Sequence, residues 1–185
     1  MQIRIFDLAR ISRRDLARAE DEVTSIFAEA GMDVNWATGS LEDRASLVTD
    51  FSANNSTSTG CKAASHAREL RLQLLAHAPQ GVDARILGFS LPCAAFGIDS
   101  TIFIDNCEGV TYQTPVSFTK VLAYAIAHEL GHVLLRSAEH TQTGLMRARW
   151  DKADWVFAAV RGIKIDREQG RRMRLELFRM AQAAR

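Results

Sequence analysis

Residues 118–135 read FTKVLAYAIAHELGHVLL. Phe118, Val121, Leu122, Ala125, Leu130, Val133 and Leu134 recur at helical spacing and spread over most of the helix circumference, so this helix belongs inside the molecule. Thr114, Pro115 and Ser117 are all acceptable start residues. A helix buried on most sides needs a sheet or other helices to cover it, and the rest of the chain is read for what supplies them.

Upstream, 100–106 (STIFIDN) is rich in β-branched and aromatic residues and reads as a strand; 86–91 is another, stopped by Pro92, and 70–75 a third. Residues 38–65 are loop-like, with the polar run SANNSTSTG, although 41–51 has room for one helical turn. Residues 33–37 (DVNWA) alternate as a strand. Before them Ser12 and Asp15 resemble a capping box, and Leu16, Ala19, Val23, Phe27 and Ala30 recur at helical spacing up to Gly31. Residues 2–8 open the chain as a half-buried strand. Downstream come a loop, RSAEHTQTG, the apolar-aromatic stretch LMRARWDKADWVF, a short strand over 160–165, and a last helix opened by Asp166. The order is strand, helix, four strands, helix, helix, which predicts an α+β fold with helices packed on a sheet.

Composition agrees with one soluble domain. The chain has 185 residues, 47% hydrophobic and 24% charged, with 23 Lys+Arg against 22 Asp+Glu. That hydrophobicity argues against disorder, and a net charge of +1 provides no global field for nucleic acid or an anionic membrane. The balance conceals an asymmetry: from Arg147 onward there are 11 Lys+Arg and 5 Asp+Glu, read as a solvated face packed against an acidic N-terminal part. No run reaches the roughly 18 to 20 apolar residues of a membrane span. The N-terminus lacks the apolar run of a secretory signal, so the chain is expected to be cytoplasmic or exported with its signal removed. Cys61, Cys93 and Cys107 form no CxxC; Cys93 and Cys107 flank the fifth strand and either pair or remain free buried thiols. Trp36, Trp150 and Trp155 are read as core anchors, and His66 and His77 have no partners by spacing.

Residues 128–132 read HELGH. On a helix, positions four apart lie one above the other, so His128 and His132 present two imidazoles to one point while Glu129 is turned roughly 100° away. Two neutral nitrogen ligands, an adjacent carboxylate that takes a proton from water, and an open coordination position are what metal-assisted hydrolysis requires. A chance HExxH in a chain this long is an event on the order of one in a hundred or rarer. The plain alternative is a core helix with hydrogen-bonded histidines. A purely structural metal site is disfavoured because it fills all four positions with protein groups and has no use for Glu129.

His140, eight residues beyond His132, is the best third ligand, and Gly144-Leu145-Met146 follows as a tight turn ending in methionine. Here the sequence resembles the metzincin clan of zinc peptidases, whose members carry HExxHxxGxxH and a Met-containing turn. The resemblance implies that His128, His132 and His140 bind Zn²⁺, that Glu129 is the general base, and that Met146 supports the histidines from below. The spacing departs from the clan: Leu135 and Ala138 stand where its glycine and third histidine would be, and Ala148 where its tyrosine would be. The element order over 1–136 is similar to a metzincin N-terminal subdomain. The implied architecture is a mixed, mostly parallel twisted sheet of about five strands with two long helices on it, and a small C-terminal helical subdomain, 137–185, carrying the third ligand and the Met-turn. The implied activity is peptide-bond hydrolysis by a monomer, with an extended peptide or protein substrate paired along 86–91 as an edge strand. Two other resemblances carry an acidic third ligand. Gluzincin-like enzymes use a glutamate on a later helix, which beyond the adjacent Glu139 would be Glu168, with Asp151 and Asp154 as aspartate alternatives, and the segment 118–135 also resembles the intracellular ImmA/IrrE-like metallopeptidases, which cleave repressors.

Overall fold

The computed structural model describes residues 1–40, 42, 43, 69–93 and 98–183. The described elements are strands β1 (Gln2–Asp7), β2 (Asn35–Thr38), β3 (Glu69–Leu75), β4 (Gly88–Ser90) and β5 (Ser100–Phe103), and helices α1 (Arg13–Glu29), α2 (Ile104–Gln113), α3 (Phe118–Leu135), α4 (Lys152–Arg161) and α5 (Arg167–Ala183). Cys61, His66 and nearly all of the loop over 38–65, with its proposed helical turn, lie outside the described residues.

The strands form one mixed sheet in the order β2-β1-β3-β5-β4. All neighbours run parallel except β4, which lies antiparallel to β5 at the edge. Alternation sorts the two faces. Ile3, Ile5, Leu70, Leu72 and Leu74 are buried, whereas their neighbours make a polar ladder on the other face: Arg4 with Glu69, Arg71 with Asp99, Gln73 with Thr101. Helix α1 begins as its cap predicts, with the Ser12 Oγ accepting from the Asp15 amide at 3.1 Å. Helix α3 is the hub, packed on α1, α2 and α5 and against β4 and β5. This is the α+β fold with a mostly parallel five-stranded sheet that the element order predicts.

Several expectations are corrected. The fifth strand ends at Phe103, and Ile104 opens α2, a helix the sequence reading did not contain. The fourth strand contracts to Gly88–Ser90. Val160 is not in a strand: it lies in the last turn of α4, whose start is fixed by an Asp151–Asp154 capping box and whose C-cap is Gly162 at φ +71°. Helices α1 and α3 are long, at 17 and 18 residues, and the terminal helix α5 matches them at 17. Cys107 is a free buried thiol, so it does not pair with Cys93. Trp155 is buried, and Trp36 and Trp150 are partly buried against the core. The basic C-terminal segment does meet the N-terminal helix, through Lys164 to Glu29 at 3.1 Å and Arg174 to the Ala30 carbonyl. Among the described residues no helix is long and apolar enough to cross a membrane.

Candidate metal centre

His128 and His132 project from consecutive turns of α3. The helix stops at Arg136, whose left-handed backbone (φ 51°, ψ 39°) turns the chain back on itself, and Arg136 is held from α5 by Glu176 at 2.9 Å. That reversal returns His140. The Nε2 atom of His132 lies 3.1 Å from that of His128 and 3.2 Å from that of His140, and the ligand atoms of all three lie within 4.8 Å of one another. A tetrahedral site with 2.0–2.1 Å metal–nitrogen bonds separates its nitrogen ligands by about 3.3 Å, so the two shorter separations suit a bound metal ion.

The second ring nitrogens explain why the rings point this way. His128 Nδ1–H donates to the Leu145 carbonyl at 2.7 Å and His132 Nδ1–H to the Ser137 carbonyl at 2.8 Å. A carbonyl can only accept, so each Nδ1 carries the proton and each Nε2 presents a lone pair. Burial pushes His128 down to about 4 and also lowers His132, so both rings are neutral at pH 7. Lone pairs of neutral rings, facing one another near 3 Å, repel unless a cation stands between them. The donor set therefore suits a metal ion better than a set of hydrogen-bonded core histidines.

Glu129 points elsewhere. It is 8% exposed and its Cγ lies under Gly88 of β4. Burial raises it to about 7, with the Ser90 hydroxyl opposing the rise. A cation at the imidazoles would favour the carboxylate form and bring that value back down.

Met146 is fully buried in a turn made by Gly144 at φ +76° and closed by the Arg147 amide on the Gly144 carbonyl at 3.3 Å. A Cβ built on Gly131, between the two helical histidines, would lie 2.5 Å from Met146 Sδ. The glycine of HELGH is thus the gap that admits the methionine. Gly131→Ala gains about 1 kcal/mol of helix propensity but drives a methyl into the sulfur. The expected net result is a loss of about 1–3 kcal/mol in denaturant unfolding; a variant more stable than wild type would show that Met146 moves freely.

The acidic alternatives are placed differently. Asp151 and Asp154 cap α4, with Asp154 also paired to Arg147; Glu168 pairs with Arg171 at 2.7 Å; Glu139 is exposed. Among the described residues only the three histidines form a cluster able to hold an ion. His77 is a surface residue 3.5 Å from Asp105. The sequence reading missed Ser90, Gly88, Gly131 and Glu176. Of these only Gly131 carried a signal, as a glycine inside an otherwise buried helix needs a packing reason. Compared with models of known protein families and with curated proteins, the chain matches none.

Proposed function

We propose that this chain is a zinc-dependent peptidase of a divergent metzincin type. The observation that carries the proposal is the convergence of three imidazoles, two of them with their Nε2 lone pairs fixed inward, beside a buried carboxylate that is not one of the cluster. His128, His132 and His140 would hold the ion. When bound, Zn²⁺ supplies Lewis acidity, lowering the pKa of water and polarising a carbonyl. Glu129 takes a proton from water on its carboxylate and passes it to the departing amine. The Leu145 and Ser137 carbonyls keep the two helical rings in the ligating tautomer, and the Met146 side chain fills the space behind them at Gly131. The metzincin likeness is further supported by the turn at Gly144–Met146 and by an antiparallel edge strand, β4, alongside the carboxylate. An extended peptide added to that edge is the substrate class this arrangement suits. An acidic third ligand, as in the ImmA/IrrE-like alternative, has less support because Asp151, Asp154 and Glu168 are committed to caps and ion pairs.

Metal analysis of the purified chain dialysed against zinc is expected to give one ion per chain, and the loaded protein is expected to cleave casein. A stoichiometric zinc protein that leaves casein and a random peptide library intact would sink the peptidase reading while leaving the metal centre standing.

A further inference from the structure

The buried residues of helix α5, among those described, are Gln169, Gly170, Met173 and Glu176, and of these only Glu176 carries a charge. A glutamate in a buried stripe needs a partner. That partner is Arg136 at the end of α3, 2.9 Å away, with the two side chains 21% (Arg136) and 10% (Glu176) exposed. Arg136 occupies the left-handed residue that ends the helix (φ 51°), where glycine is the residue free of steric cost. Stability does not account for this pairing. A buried ion pair is often matched or bettered by apolar groups of the same volume, and a side chain in the left-handed region is disfavoured. What the pair fixes is the backbone of 136 and 137. Ser137 donates its amide to the His132 carbonyl at 3.2 Å and offers its own carbonyl to the His132 Nδ1–H at 2.8 Å. Three residues further on stands His140, its Nε2 3.2 Å from that of His132. Helix α5 reaches the same place one turn earlier, where Met173 Cε lies 3.3 Å from a Cβ built on Gly131.

We infer that Glu176 is a positioning residue for the metal centre. Acting through Arg136, it locks the left-handed reversal, and the locked reversal aims both the Ser137 carbonyl at His132 and the His140 ring at the shared point. The tightness of metal binding is thereby set in part from α5, a helix that supplies no ligand. With the reversal unlocked, all three histidines would remain in the chain but one tautomer and one ring position would no longer be held. The inference rests on the metal centre of the reading above and is independent of peptidase activity.

The test compares the full chain with two variants. Arg136→Gly/Glu176→Gln removes both buried charges together with the left-handed strain, and Arg136→Lys keeps a cation within reach of Glu176. Denaturant unfolding of the metal-free chains is expected to place the midpoint of the double variant at or above that of wild type. Zinc affinity, read by competition with a chromophoric chelator, is expected to fall about tenfold in the double variant and to stay within about threefold of wild type in Arg136→Lys. In the metal-free chains the His132 Nδ1 proton, followed by NMR, should exchange with water about tenfold faster in the double variant, because the Ser137 carbonyl no longer holds it. A folded double variant with wild-type zinc affinity overturns the proposal and leaves the ion pair as packing. So does an affinity loss that only tracks a lower unfolding midpoint and that Arg136→Lys shares in full. A wild-type chain that binds no zinc removes the metal centre of the reading above, and the exchange of the His132 proton then decides: an unchanged rate overturns the positioning role as well.

Discussion

Glu129→Gln is expected to keep the zinc and lose the hydrolysis. Glutamine has the shape of glutamate, but it cannot take a proton from water, and removal of a general base costs about 10²–10⁴ in kcat. The same substitution should stabilise the metal-free chain. Glu129 is buried with its value raised to about 7 from an ordinary 4.5, so the fold prefers the protonated acid. The contribution of a raised group is present below about 4.5 and is lost as pH climbs through about 7, where the wild type holds a buried carboxylate without a cation. A glutamine side chain has no such proton to lose. Metal-free Glu129→Gln should therefore match the wild type near pH 4 and exceed it at pH 8 by up to roughly 3 kcal/mol in denaturant unfolding. Zinc should narrow that gap, because the ion favours the carboxylate. A variant that cleaves casein at the wild-type rate removes Glu129 from the chemistry. A variant no more stable than wild type at pH 8 places the wild-type carboxylate in water.

That stability cost is also why the region was readable. A helix with Val121, Leu122, Ile126, Leu130 and Leu134 all buried leaves little reason for two histidines and a glutamate inside it, so their presence stood out against an apolar background. An amphipathic period made α1 legible, a near-continuous apolar run made α3 legible, the Asp166 start signal marked α5, and period-two alternation did the same for β1. Short elements behaved otherwise. Ile104 and Phe103 are equally at home in a strand, and what ends β5 there is tertiary: Asn106 donates its side-chain amide to the Ile86 carbonyl at 2.7 Å, tying the start of α2 to the approach to β4. The first residue of α4 was legible in principle, as Asp151 and Asp154 have capping-box spacing, but the run of aromatic and β-branched residues after it outweighed the signal. In the centre, the histidines could be found by spacing because they share one helix and one reversal. Ser90 and Glu176 could not, because their partners lie 39 and 40 positions away in the chain and meet them only through the packing of β4 and α5 against α3.

His140→Ala is expected to lower zinc affinity by at least about a hundredfold, since even residues that only orient a ligand cost 10–100-fold when removed. The choice of histidine matters. His132 is buried and His128 half-buried, so truncating either opens a cavity in α3 and confounds metal loss with unfolding. His140 is exposed, so its removal should shift the metal-free stability by less than about 0.5 kcal/mol, and any loss of zinc reports ligation alone. Two imidazoles would remain, converging at 3.1 Å, and they should retain weak binding that a competing chelator removes. Casein cleavage at micromolar zinc should vanish in this variant and return in part at millimolar zinc, the behaviour of a site that is short of one ligand with its base intact. Unchanged zinc content and affinity would mean that another group completes the site. The acidic candidates would each have to leave a present role to do so: Asp151 the N-cap of α4, Asp154 its pairing with Arg147, and Glu168 its pairing with Arg171. Asp151→Asn and Glu168→Gln in the His140→Ala background would then identify which of them had moved.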